Sequence, residues 1–300
     1  MHFPHAASNS LWLIDPRTNT FVARVPTPGS PDYEFGFTTL GAGAVWDANE
    51  TGVTKIDPRT NAVVKEIPIT GGSFAVAAGR EGVWITNPPP DNALYRINPR
   101  SGGVTLRRSF PSRPITAQVV GEGFVWVPDA DEVLKIDPST GRVVARIPFN
   151  YPNVGAGALA VGEGSVWIAD PADVPTEGSL EFGVVVRIDA RTGRIITKIP
   201  VERADGVVVG AGAVWARSSE TEEVTEINPA TNLPIQTIPV RRADWIAVGQ
   251  GAVWVLDEDI HTAVRINPAT GDVVARIKLP PRARAIFAGP EGVWVPVAGS

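Results

Sequence analysis

The amino-acid sequence predicts an all-β fold: a seven-bladed β-propeller with four antiparallel strands in each blade. Three observations predict it. Val-Trp recurs seven times, at Trp46, Trp84, Trp126, Trp167, Trp215, Trp254 and Trp294, and a glycine stands five residues before each tryptophan. A second unit, Ile-[Asp/Asn]-Pro-x-[Thr/Ser]-[Gly/Asn], also recurs seven times; its polar residue is Asp15, Asp57, Asn98, Asp137, Asp189, Asn228 or Asn267, and only the Asp189 copy replaces proline, with Ala190. Successive copies lie 39 to 42 residues apart, except for 52 between Asp137 and Asp189. Four short strands roughly every 40 residues is the propeller period.

Each element follows in order. A strand a leads into a glycine-rich turn, and strand b carries Val-Trp. A loop leads to strand c, the Asp-Pro turn follows, and strand d ends the unit. In one unit these are Trp245 to Val248, Ala252 to Leu256, Thr262 to Ile266 and Asp272 to Ile277. In the turn, proline sets φ of the first central position, and the Asp or Asn accepts backbone hydrogen bonds. The last turn residue is always glycine or asparagine, which implies a left-handed conformation. The chain starts on strands c and d (Leu11 to Asp15, Thr20 to Val25) and ends on strands a and b (Ala285 to Ala288, Val293 to Val297). One blade is therefore shared between residues 11–26 and 283–298, after a tail at 1–10, and its closure removes the open sheet edges. Residues 1–300 form a single domain on this reading. The seven repeat tryptophans belong to the core between blades, whereas Trp12 and Trp245 lie outside the series.

Composition excludes several function classes. With 27 basic against 32 acidic residues and a formal charge of −5, nucleic-acid binding is not expected. The absence of cysteine rules out disulfides, thiol nucleophiles and zinc ribbons. No apolar run reaches the ~18 residues of a membrane helix. The beginning, MHFPHAASNS, has no signal-peptide pattern; the compartment is left open, and a secreted or periplasmic protein is compatible if a signal has been removed. The repeated Gly-x-Gly is followed by a Val-Trp strand each time, so it is not a dinucleotide fingerprint, which requires a helix.

Repeats such as LAVGEGSVWIAD followed by VVVRIDARTGRIITKIP resemble the bacterial streptogramin lyase (virginiamycin B lyase)-like propellers and the related YVTN-type propellers. The resemblance covers about Leu11 to Val297. It implies a seven-bladed ring with chemistry at one channel mouth; in the lyase this is ring opening of a cyclic depsipeptide by elimination, with Mg²⁺ and a histidine. The family's functional residues sit five positions before the glycine of the Gly-rich turn. Here those slots hold Gly36, Phe74, Thr116, Gly157, Asp205, Asp244 and Arg284. None is histidine or tyrosine, so the family's acid–base residues have no counterpart.

Two residues earlier stand Glu34, Gly72, Pro114, Gly155, Arg203, Arg242 and Arg282. Arg203-Ala-Asp205, Arg242-Ala-Asp244 and Arg282-Ala-Arg284 fall on consecutive blades of the closed ring. Residues two apart on a strand share a face, so one sector of the mouth is expected to carry an Arg/Asp cluster. The opposite sector, with Phe74 and several glycines, is expected to be roomy. Arginine suits bidentate contact with carboxylate or phosphate. The expected ligand-binding residues are Arg203, Arg242, Arg282, Arg284, Phe74 and Trp245. Asp205, Asp244 and His261, in the loop Asp257 to His261, are the acid–base candidates. The long loop Asp170 to Gly183 is a candidate lid, and Asn87 to Asn92 a rigid rim.

Three functions remain open at this point. The first is a binding pocket for a small anionic ligand or peptide. The second is a lyase-type enzyme using a carboxylate or histidine base with arginine stabilisation. The third is a protein–protein scaffold. A monomer is expected, with no nucleic-acid or membrane partner, and Mg²⁺ enters only through the resemblance.

Overall fold

The computed structural model describes residues 9–28, 37–73, 75–87, 91–110, 118–129, 132–149, 157–171 and 183–299. Among the described residues, twenty-eight strands form seven four-stranded antiparallel sheets. Six blades run in chain order. Blade 2 covers residues 38–68, blade 3 75–109, blade 4 119–148, blade 5 159–200, blade 6 206–239 and blade 7 245–278. Blade 1 is assembled from both ends of the chain. Gly292–Val297 pairs with Ser10–Asp15, flanked by Phe287–Gly289 inside and Thr20–Pro26 outside. The innermost strands pack side by side around the axis, and Phe287–Gly289 meets Thr38–Gly41 to close the ring. No helix of the described residues is long and apolar enough to cross a membrane.

Hydrogen bonds explain the repeat. All seven Val-Trp tryptophans are fully buried. In five blades the indole N–H donates to the carbonyl of the glycine five residues earlier, at 3.0 Å from Trp46 to Gly41 and 3.1 Å from Trp215 to Gly210. The Gly-to-Trp spacing is thus the span of one ring-to-backbone bond. Trp294 uses the Glu291 carbonyl instead, and the Trp84 nitrogen has no partner among the described residues. The turn chemistry also matches the pattern. Asn19, Asn61, Gly102, Gly141, Gly193, Asn232 and Gly271 all take positive φ, between 53° and 74°. The Asp or Asn side chain receives turn N–H groups, as at Asp57 (2.8 Å from Arg59) and Asn228 (2.8 Å from Ala230).

A second staple joins neighbouring blades. In five blades strand c carries a Lys or Arg just before the Ile-Asp/Asn pair, lying over its own blade's tryptophan; blades 1 and 6 have Leu13 and Glu226 there. Examples are Lys55 on Trp46, Arg187 on Trp167 and Arg265 on Trp254. Its charged end then donates to a turn carbonyl of the next blade: Lys55 to Pro99 at 2.7 Å and Lys135 to Arg191 at 2.8 Å. Arg265 does the same to Pro16, so this bond also locks the closing blade.

Trp12 is buried, edge-on to Phe21, and donates to Ser10 at 3.0 Å. It is part of the closing blade's core. The strand a of blade 1 begins at Phe287 rather than Ala285: a turn at residues 281–282 and irregular chain at 284–286 precede it, and Ala283 makes only an isolated bridge to Val297.

Candidate functional site at one end of the channel

The seven innermost strands line a channel cavity of about 400 Å³. Most of its wall is Ala, Val and Leu. Three aromatic residues from consecutive blades stand on one side: Trp245 is stacked on Phe37 (5.9 Å) and meets Phe287 edge-on (5.5 Å). Polar lining comes from Thr38, Thr39, Gln118 and Arg217.

The Arg-Ala-Asp and Arg-Ala-Arg segments do lie together on blades 6, 7 and 1, but in turns ahead of the strands rather than on them. Each central alanine, Ala204, Ala243 and Ala283, is buried in the core. That anchors the segment and leaves its flanking side chains at the surface. The slot residue is fixed in the same way in all three blades: its N–H donates to the carbonyl two residues beyond the repeat tryptophan. These bonds run from Asp205 to Arg217 (3.0 Å), from Asp244 to Leu256 (2.8 Å) and from Arg284 to Pro296 (3.2 Å). Arg203, Arg242 and Arg282 all sit at left-handed φ of 50°, 62° and 67°. Gly72 occupies the same position in blade 3 at φ 81°. A side chain there carries a strain of order 1 kcal/mol that glycine avoids, and three consecutive blades accept it.

The charges form a connected set. Arg217, 8% exposed, donates from Nη1 to Asp205 (2.7 Å) and across the blade boundary to the Ala243 carbonyl (2.9 Å). Burial lowers the Arg217 pKa, and the carboxylates of Asp205 and Asp244 oppose this. Asp205 also accepts from the Ser219 hydroxyl and N–H. Asp244 accepts the Glu258 N–H at 2.9 Å and lies 3.4 Å from Arg242. Burial pushes the Asp244 carboxyl above its ordinary range, against the pull of the Glu258 N–H and Arg242. Glu258 is raised too, first by burial and then by the Asp244 charge, while Arg284 and Arg242 pull it down. Arg242 also reaches Asp259 (3.3 Å), and Arg241 holds the buried Asp257 at 2.9 Å. Arg203 approaches Glu220 at 3.6 Å, and Arg282 donates to the Gly299 carbonyl. Arg284 is exposed and makes no ion pair within 4 Å among the described residues; its charge acts on Glu258 only from a distance.

Asp205, Asp244, Arg242 and Arg284 are thus brought together, and Trp245 lines the channel beside them. His261 is in the strand b to c loop of blade 7, with Glu258, and no hydrogen bond or ion pair joins it to Asp244; its Nδ1 is buried without a partner among the described residues, and its backbone closes the turn onto Glu258 and Leu279. Phe74, with Glu34, Gly36, Pro114, Thr116 and Gly155, lies outside the described residues, as does most of the 170–183 loop. Among the described residues no three His, Cys, Asp or Glu gather into a metal-holding group. The magnesium implied by the resemblance thus has no ligand set among the described residues.

Sequence reading missed Arg217, Glu258, Phe37 and Phe287. Arg217 had a signal: two residues beyond the repeat tryptophan the other blades hold Ala48, Thr86, Pro128, Ala169, Leu256 and Pro296, so one position of seven is charged.

No family model and no curated protein sequence matches the chain. Solved structures do. Kuenenia stuttgartiensis hydrazine synthase is similar at a TM-score of 0.67 and 14% identity, over 89% of this chain and 93% of that one. A streptogramin B lyase structure is similar at 0.58 and 20% identity, over 74% and 75%. These likenesses concern the fold, which is a streptogramin lyase-like seven-bladed propeller.

Proposed function

We propose that the propeller binds a small anionic ligand, or a peptide bearing a carboxylate, at the Arg/Asp end of its channel. Arg284, Arg242, Arg203 and Arg282 make the contacts, and Asp205 and Asp244 orient the surrounding charges. The observation that carries this reading is Arg284: an exposed guanidinium with no ion pair within 4 Å among the described residues, in the same sector as three left-handed arginines at one end of an open cavity. Exposed surface pairs are worth little to stability, which leaves recognition as the better return for three left-handed arginines. Citrate titrated calorimetrically into the wild type, Arg284→Ala and Arg242→Ala tests it. Loss of at least about tenfold in affinity is expected for each variant, from one charge-assisted contact. If both variants keep the wild-type affinity, the reading is wrong.

The raised carboxyls of Asp244 and Glu258 favour a second reading, a lyase-type enzyme. Asp244 would remove a proton next to a carbonyl, and the arginines would stabilise the developing enolate. Turnover that falls with Asp244→Asn while citrate affinity holds would select this reading over simple binding. A propeller whose variants alter neither binding nor turnover would be a protein–protein scaffold.

A further inference from the structure

The cavity behind the mouth differs from the mouth. Arg217 is the one charged side chain on its wall among the described residues. Its position is built. Arg217 pairs across the sheet with Gly206, and a Cβ on Gly206 would lie 2.4 Å from the Arg217 Nε and 3.0 Å from Cζ. The guanidinium therefore lies over the innermost strand because position 206 has no side chain. Trp245 stands at the equivalent position of the next blade and Phe37 three blades on. Only Nη1 of Arg217 is engaged, by Asp205 and Ala243; Nε and Nη2 donate to no described residue. Neither atom is a buried orphan, so both keep access to the open cavity and can receive a ligand's acceptor without first breaking a bond within the protein.

We propose that the channel takes a small monocarboxylate with an aromatic or branched aliphatic body, its carboxylate received by Nε and Nη2 of Arg217. That edge of a guanidinium matches a carboxylate bidentately. Asp205 already neutralises one charge and Asp244 adds a negative field, so a monoanion fits better than a phosphate dianion. Two residues farther along the inner strands, Val208, Ala247 and Phe287 offer apolar wall, and Ala77 and Ala160 keep the bore open. An apolar concavity with few convergent polar groups is the ordinary form of a small-molecule site. The inference rests on the reading of this end of the channel as a binding site, and names the ligand class.

Phenylacetate is the probe, titrated into the full chain by calorimetry, with 2-phenylethanol and 2-phenylethylamine as uncharged and cationic bodies, acetate as the head alone, and citrate in parallel. Phenylacetate should bind at least about tenfold more tightly than the three controls. Arg217→Gln and Ala77→Phe should each weaken it by at least about tenfold. Ala77→Phe fills the bore without touching Arg217 and carries the test alone if Arg217→Gln fails to fold. Equal binding of 2-phenylethanol, or unchanged affinity in the folded variants, overturns the proposal. Absent phenylacetate binding with citrate retained overturns the channel inference alone; absence of both overturns the mouth reading with it.

Discussion

Replacing Arg217 by methionine, a side chain of similar length without charge, should destabilise the propeller by about 3 kcal/mol. The figure comes from two losses. One is a charge-assisted bond to Asp205 at 2.7 Å between side chains 9% and 27% exposed, worth about 1.5–3 kcal/mol. The other is the Ala243 carbonyl, left without its donor at the boundary of blades 6 and 7, at about 1 kcal/mol. A fully buried pair would cost about 3–5 kcal/mol on losing one partner, but Asp205 keeps Ser219 and some water, which holds the estimate at the low end. Asp205→Asn added to Arg217→Met should cost little more, because the stranded charge is then gone. Urea unfolding of wild type, both single variants and the double variant, followed by tryptophan fluorescence, gives the coupling directly. About 1.5–2 kcal/mol is expected. A coupling under about 0.5 kcal/mol would mean that water screens the pair as at an ordinary surface, and the claim that Arg217 is locked into the channel wall would fall.

Asp47 is buried, and burial raises its pKa to about 6, against hydrogen bonds from Thr38 and Thr27 that lower it. The folded value lies above the unfolded one near 3.8, so the penalty is absent below that value, grows between the two, and is complete above about 6, at roughly 3 kcal/mol. Asp47→Asn should therefore raise stability at pH 8 and flatten its dependence between pH 4 and 6; an unchanged slope in pH-dependent urea melts refutes this. Trp167 donates its indole N–H at 3.1 Å and Trp84 has no acceptor, so Trp167→Phe should cost about 1 kcal/mol more than Trp84→Phe in the same melts. Arg242→Gly removes a left-handed arginine and should leave stability equal or higher by up to about 1 kcal/mol while weakening citrate; destabilisation beyond 1 kcal/mol would show that Arg242 has a structural task. Sulfate affinity should rise as pH is lowered, and should start to rise at a higher pH than ordinary carboxyls would give, since burial raises Asp244 and Glu258 and both lose their negative charges in that direction; a profile flat over the whole acid range in which the protein stays folded removes these two carboxyls from the mouth.

The ring was legible because each blade repeats the same local solutions. Glycine and asparagine at the turn ends announce left-handed φ, and the Gly-to-Trp spacing announces a bond that the sequence shows only as a period. The lysine or arginine ahead of Ile-Asp/Asn recurs in five of the seven copies (Leu13 and Glu226 stand in the other two), yet it reads as an ordinary exposed charge on a strand. Its task depends on the neighbouring blade's turn carbonyl, a partner some 42 to 56 residues away for Lys55, Lys135 and Arg187, and backbone acceptors leave no mark in sequence.

The candidate site was half legible, for a related reason. Side chains that break the repeat stand out when compared position by position, and that comparison finds Asp205, Asp244 and Arg284. It also predicts that Arg and Asp share a strand face, which the turn geometry contradicts: alanine, not strand alternation, sets the exposure of its neighbours. Arg217 needed a comparison two residues beyond the tryptophan together with one at Gly206, because charge on strand b reaches the channel only where strand a lacks a side chain. Neither departure is informative alone. A glycine in an inner strand reads as a weak point, and an arginine after Val-Trp reads as a blade-edge charge. Their register across one antiparallel pair turns two small irregularities into a positioned guanidinium, and blade 6 is the blade of this ring where both occur together.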